Sequence, residues 1–375
     1  MVGILQSNGR QLFGSLPSNT NILLDNIRAN TAERFQTERK AIEDSAKART
    51  DAIDAESDRV ITVKAQVNNA KIAVESGQES IDKIRNTFLE LRTPVALSGQ
   101  QGEDRKLKVE EFDAKVNSIN NEADTGGPAF NLVGNINRID FTPNTIEYRS
   151  DLGSANTKLT GTYAGSDYRI RAADGSYWIP ELGTDSITHR SELQGIVQKT
   201  TLSDGTEIDQ TASTRNALKL VSYDDKTHDI TFQVTFDPGL PPQTVTGKLE
   251  RYGNGIMGAW FYGGLTTEAD RKRAFADIEK ADAALTSSAA DLAKASVLVK
   301  RDDHKVDQAL NALTQDKSVA LNDQLVRTQE LQIKAQQQIQ AMITNLDNLS
   351  SQQQNYITAF AGFVKSPFLQ FNIRA

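Results

Sequence analysis

Cysteine is missing from all 375 residues of the sequence, histidine occurs three times and proline nine times. The missing thiols exclude disulfides, thiolate metal sites and a cysteine nucleophile. His189, His228 and His304 lie far apart in the chain, which argues against a histidine-rich metal centre. Apolar runs are short, and none approaches the roughly 18–20 residues a membrane span needs. Positive charge is not in excess either: 42 Lys and Arg stand against 49 Asp and Glu, a formal charge of −7. A nucleic-acid binder would need a basic face. At the N-terminus, Met1–Arg10 has no basic residue ahead of its short apolar patch, so a general secretory signal does not fit and an exported chain would need another route. What remains is 38% apolar and 24% charged, a composition that folds, over a length that allows two or three domains.

The prolines stand at 17, 94, 128, 143, 180, 238, 241, 242 and 367, which leaves 18–93 and 243–366 free of them. Proline in a helix interior costs about 3 kcal/mol, so both intervals permit long helices. The first carries a seven-residue repeat, Ile53, Val60, Val67, Val74, Ile81 and Phe88, with Glu56, Val63, Ala70, Gly77, Ile84 and Leu91 three residues on, of which only the first is charged. This is the seam of a coiled coil or of a long bundle helix. Ser18 or Asn19 serves as its N-cap, and Pro94 ends it by Thr93. The second interval holds Ile278, Leu285, Leu292, Val299, Val306, Leu313 and Ala320, then a second seam of Ile339, Met342, Leu346, Leu349, Tyr356, Phe360 and Phe363. The two phases differ by one residue, which predicts a skip or break near Thr314–Asn322.

Between the intervals a short helix is expected at Leu107–Ala123, with Val109, Phe112, Val116 and Ile119 on one face. From about Ile136 to Gly264 strands and turns take over. Ile230, Phe232, Val234 and Phe236 alternate with polar residues, and Asp174-Gly175, Asp204-Gly205 and Asn254-Gly255 read as hairpin turns. The expectation is an α+β protein, a long antiparallel helical rod of the N- and C-terminal regions with an inserted antiparallel β-rich domain. Its parts are an apolar tail at 1–17, a coiled-coil helix at 18–93, a loop and short helix at 94–135, a β-rich domain at 136–265, a first returning helix at 266–316 and a C-terminal helix with aromatic tail at 317–375. Ala, Gly and Ser at many seam positions leave a lone helix pair marginal, and packing against other copies is the remedy.

Catalytic and metal-binding patterns are weak. Asp224-Asp225-Lys226-Thr227-His228-Asp229 fits a charged hairpin turn better than a metal site. Arg251–Gly255 has glycines but no following lysine, so a phosphate cradle is not supported. His189, Ser191 and Glu192 are close together without a nucleophile elbow or triad spacing. Pro238, Pro241 and Pro242 read as a rigid loop, and Trp178, Tyr177, Trp260 and Tyr262 as core aromatics before a sugar-stacking surface. The aromatic end, Phe360, Phe363, Phe368 and Phe371, has only Lys365 and Arg374 beside it, so protein packing is favoured over a membrane interface. No enzyme, cofactor or metal site is expected.

Three stretches resemble flagellin-type filament subunits. Ala70–Arg92, with Ile81, Ile84, Phe88 and Leu91, is similar to that family's long helix ending in a Leu-Arg or Met-Arg pair. Phe112–Thr125, followed by Phe130-Asn131-Leu132, is similar to its helix and Asn-Gly-x-Asn-Leu-Leu turn, with Pro128-Ala129 departing from it. Leu331–Ile339 is similar to the Leu-Gln-x-x-Gln-Gln-Leu run of its C-terminal helix. The family's Ser-Ser-Gly and Ile-Asn-Ser-Ala motifs are absent, with Ala32–Asp54 in their place, and the chain continues past the usual end. The resemblance implies a non-enzymatic, secreted subunit that leaves the cell unfolded through a flagellar type III channel and polymerises through its terminal helices. The β domain then faces outside, and Ile4, Leu5, Leu12, Phe13 and Leu16 become ordered on assembly. Implied partners are further copies of itself, an export chaperone and capping or junction proteins, without nucleic acid or stable membrane insertion. The assembly residues are Ile53, Val60, Val67, Val74, Ile81, Phe88, Leu292, Val299, Val306, Leu313, Ile339, Met342, Leu346, Leu349, Tyr356 and Phe360. The alternatives are a type III secretion needle-tip or translocator-like protein and a rod-borne adhesin that binds ligand through the β domain.

Overall fold

In the computed structural model of the chain, helix fills the first interval that lacks proline and the second from Glu268 onward. The structure describes residues 18–100, 102–124, 130–137, 139–150, 156–181, 184–202, 204–237 and 239–364. The tail at 1–17, the positions Pro128, Pro238, Phe368 and Phe371, and the side chain of Phe363 lie outside the described residues.

Helix α1 (Ser18–Leu97) runs for 80 residues and overruns the expected stop at Thr93, with Pro94 inside its last turn. Proline there withholds one N–H from Glu90, whose exposed position leaves that carbonyl open to solvent. Ser98 then closes the helix end, its N–H on the Pro94 carbonyl at 2.9 Å and its hydroxyl on Val95 at 2.8 Å. Helix α2 (Glu103–Asp124) begins four residues before the expected Leu107 and buries Phe112, Val116 and Ile119. Helix α3 (Glu268–Val364) opens on a reciprocal cap: the Asp270 N–H donates to Thr267 Oγ1 and the Thr267 N–H to Asp270 Oδ2, each at 3.1 Å.

The break expected near Thr314–Asn322 does not occur, because α3 is one continuous helix of 97 residues. The phase shift is absorbed by a change of period. Past Leu313 the inward positions recur every eleven residues, as Leu313, Gln324, Ala335 and Leu346, and as Lys317, Thr328, Ile339 and Ser350. Eleven residues make about 3.67 per turn against 3.5 for a heptad, which moves the contact line around the helix without interrupting its hydrogen bonds.

The chain divides into two compact units, Met1–Asp58 with Ala309–Ala375, and Arg59–Gln308. Within the second, α1 and α3 are antiparallel. Lys64 bonds Asp303 and, at 2.9 Å, Asp307, Gly77 backs onto Leu292, and Arg85 faces Asp282 at 3.7 Å. Val63, Ala70, Ile84 and Leu91 of α1 and Ile278 and Leu285 of α3 are all buried. Helix α2 is tied to α1 by Ser80 donating to Glu122 at 2.8 Å and by Lys115 on Glu90 at 2.7 Å.

The same unit holds all the strands among the described residues. β1 (Thr145–Arg149) pairs with β2 (Asn156–Thr160). A seven-stranded antiparallel sheet combines β3 (Ser166–Ala172), β4 (Tyr177–Pro180), β5 (Ser186–Arg190), β8 (Thr211–Ser213), β9 (Leu218–Tyr223), β10 (Asp229–Val234) and β11 (Gln243–Gly253) in the order β8-β5-β4-β3-β11-β10-β9. β6 (Lys199–Thr201) and β7 (Glu207–Asp209) make a separate hairpin. Gly175 and Gly205 take φ of 89° and 85° in the two expected Asp-Gly turns. Asn254-Gly255 is not a hairpin turn. No strand follows it, and Asn254 ties the end of β11 to Gly165 and Ala164 at 2.8 and 3.0 Å before a 3-10 helix at Ala259–Leu265. The Asp224–Asp229 cluster is the β9–β10 turn, in which Asp224 Oδ1 accepts from the Lys226 N–H at 2.8 Å.

Trp178, Trp260, Phe261 and Tyr262 are core residues. His189 is half-buried at the edge of that core, stacked on Trp178 with ring centroids 4.5 Å apart and held by Gln210 at 2.5 Å and Ser176 at 2.7 Å. Three buried aspartates on helices fasten the β region. Asp277 accepts from Arg251 and from the Tyr262 hydroxyl, both at 2.9 Å. Asp302 accepts from the Tyr148 hydroxyl at 2.9 Å, and Asp113 from the Ala259 N–H at 2.7 Å. Burial pushes the Asp113 carboxyl up to about 6, against the opposing pull of that N–H.

Candidate assembly surface

The predicted seam residues separate by unit. In Arg59–Gln308, Val60, Val67, Val74, Ile81, Phe88, Leu292, Val299 and Val306 are all buried inside the chain's own fold. Each contributes about 1.5–3 kcal/mol to folding, and none is left for another molecule. In the other unit Ile53, Leu313 and Ile339 are half-buried, Leu346 is buried, and Met342, Leu349, Tyr356 and Phe360 are exposed. Tyr356 and Phe360 reach 73% and 75% exposure.

The reason lies in the helix register of that unit. Lys317 Nζ bonds both carboxylate oxygens of Asp54, at 2.7 and 2.8 Å. Continued antiparallel, this register sets Leu24 near Leu346, and both are buried. It also sets Ser18, the first described residue of α1, opposite Gln353. Tyr356, Ile357 and Phe360 lie past that point and have no described residue of α1 beside them.

Helix α3 carries apolar side chains on three sides in this unit, while α1 offers one surface. Leu313, Ala320, Leu331 and Leu346 make the inward line. Leu321 and Leu325 stand exposed on a flank, with Ile339 and Ile343 half-buried beyond them. Val319, Val326 and Ile333, at intervals of seven, form a third stripe with exposures of 51%, 42% and 53%. That stripe is turned roughly 100–160° away from the inward line, by the 3.6-residue turn. Its neighbours toward Leu325 are Asn322, Gln329 and Gln336, uncharged groups whose desolvation is cheaper than that of ions. By contrast α1 in this unit exposes Glu38, Arg39, Lys40, Asp44, Lys47 and Asp51, with Arg39–Glu43 and Lys47–Asp51 paired along the helix at 2.8 and 2.6 Å. The outer side of α1 is thus mainly charged, whereas α3 exposes apolar stripes among its charged residues Asp316, Arg327, Glu330 and Lys334. A helix that is apolar on several sides is stable where several neighbours surround it.

No protein-family model matches the sequence, and no curated protein is similar to it. Among solved structures the chain is similar to the flagellar junction protein FlgL from Legionella pneumophila, with 12% identity and a TM-score of 0.37 over 72% of this chain and 99% of that one. Flagellar hook associated protein-3 from the same organism gives 10% identity and 0.37 over 77% and 99%. Xanthomonas campestris FlgL gives 13% and 0.33 over 76% and 99%. Scores of this size carry no assignment of function, which rests instead on the chain's own residues.

The sequence reading missed the outward stripe. The seven-residue spacing of Val319, Val326 and Ile333 was present in the chain, but it runs alongside the Leu313–Ala320 seam one position away and was hidden by it. Among the described residues no group of three or more Asp, Glu or His side chains converges as a metal site, and no helix is long and apolar enough to cross a membrane.

Proposed function

We propose that this chain is a non-enzymatic structural subunit of an extracellular flagellum-type appendage, which polymerises by packing its α3 helix against further copies. One observation carries the reading: between Leu313 and Phe360 the helix carries apolar side chains on three sides and α1 covers one. The motif likeness of Phe112–Thr125 and Leu331–Ile339 to flagellin-type helices supports the same reading, as does an inserted β region whose core is complete without a partner. Contacts of this kind join different surfaces of successive subunits, so they extend into a helix instead of closing. Each added copy stabilises the others by mass action.

Negative-stain microscopy of the purified chain across salt and seeding conditions is the test. Long filaments of uniform width are expected. Chains that stay monomeric, or form only small closed rings, under all conditions would sink the proposal.

A further inference from the structure

The outward face of the seven-stranded sheet carries a line of side chains that neither the core nor the helical surface uses. Arg190 pairs in register with Tyr177, Tyr177 with Arg171, and Arg171 with Lys248. One line across β5, β4, β3 and β11 thus reads Arg-Tyr-Arg-Lys, roughly 14 Å long at the usual strand spacing. Arg169 lies beside it, 5.9 Å from the Tyr177 ring and 5.2 Å from the Tyr252 ring. Next to Lys248 on β10 and β11 stand two carboxylates, Asp229 and Glu250, and beyond them the uncharged polar residues Thr231, Gln233, Thr244 and Thr246.

Most cations of the line are occupied. Arg190 donates to Glu181 at 3.1 Å and to the Gly195 carbonyl at 3.2 Å. Lys248 bonds Asp229 at 2.9 Å, and Arg169 bonds Glu250. Arg171 differs: it is exposed and has no hydrogen-bond or ion-pair partner among the described residues. It stands directly across from Lys248, an arrangement of like charges that costs sheet stability. Burial works to raise the Glu250 carboxyl, yet hydrogen bonds from Tyr252 and Arg169 and the fields of Arg169 and Arg171 hold it below the usual range.

We propose that this face binds an acidic polysaccharide, with the Tyr177 ring under one sugar and the Arg171 guanidinium on its carboxylate. The half-buried ring supplies a rigid amphipathic platform, and the free planar fork of Arg171 matches a carboxylate with two parallel hydrogen bonds. Arg190 and Lys248 are already paired with Glu181 and Asp229, so Arg171 carries the unpaired positive charge of the line. The chain as a whole carries a net charge of −7, which repels the same polymer away from this face. The inference is independent of the assembly reading and is tested on full-length protein before polymerisation.

Titration calorimetry with polygalacturonate, dextran and poly-glutamate at low salt gives the readout. Polygalacturonate binds and dextran does not, and Arg171→Gln and Tyr177→Ser each weaken binding about tenfold or more. Arg171→Lys falls between the wild type and Arg171→Gln, and Lys300→Gln, an exposed cation on α3, leaves binding unchanged. Unaltered tryptophan fluorescence shows that the variants are folded. The inference is overturned if polygalacturonate does not bind, if Arg171→Gln binds like the wild type, or if poly-glutamate binds as tightly, since the tyrosine platform then has no role.

Discussion

Asp113 shows how a single buried carboxyl sets a pH dependence. The folded protein holds its proton up to about pH 6, whereas the unfolded chain releases it near the ordinary value of 3.8. Between those values the folded state binds more protons, so the group's contribution to stability is fully present below pH 3.8 and is lost as pH rises through 6. The loss is about 3 kcal/mol at most, from a shift of roughly two units. Urea midpoints measured from pH 4 to 7 should decline over this window, and Asp113→Asn, which keeps an oxygen for the Ala259 N–H, should flatten the decline. Tyr148→Phe acts in the other direction by leaving the Asp302 carboxylate buried without that donor, and should cost about 1–3 kcal/mol in the same assay. Neither aspartate was legible in the sequence, since an Asp on a predicted helix reads as a solvated charge until the strand or 3-10 helix that covers it is known. The tryptophans were legible because large aromatics among alternating strand residues have few places to go except the core. His189, next to Ser191 and Glu192 in sequence, is held instead by Gln210 and Ser176, which only the strand pairing of β4, β5 and β8 could bring to it.

At the level of elements, the proline-free intervals marked both long helices, and the heptads named the residues that bury in Arg59–Gln308. Leu292 packs where Gly77 lets the two helices approach, a Cβ on Gly77 lying 3.1 Å from its Cδ1. Leu292→Ala should therefore destabilise that unit by about 2–5 kcal/mol in chemical denaturation. The period of α3 was misread past Leu313 because a heptad template sees an eleven-residue repeat as a slip. The outward stripe has a different signature from the core: Val326→Ser with Ile333→Ser should change stability by no more than about 0.5 kcal/mol per site, as exposed substitutions do. The same pair should abolish polymerisation in a light-scattering assay. Equal polymerisation by this variant would remove the stripe from the contact surface.

For the whole molecule, the division of labour is between a unit that completes its own core and one that does not. Arg59–Gln308 buries its seams, fastens its β region with three aspartates and presents a cationic line on its sheet. The unit of the chain ends spreads apolar side chains around α3 and covers one side of it. Composition anticipated this only in part: the small residues on the seams pointed to neighbouring copies, but which faces would stay open depended on the register of α1 against α3. The lack of cysteine, which at first only excluded chemistry, supplies the most direct test, because Ile333→Cys introduces the sole thiol of the chain. Its rate of labelling by a maleimide should be high in the monomer, where this position is half exposed, and fall at least about tenfold once the protein has polymerised, as expected when a side chain is packed against a neighbour. A thiol that labels equally fast in both states, or a chain that never leaves the monomeric state, would contradict assembly through the outer face of α3.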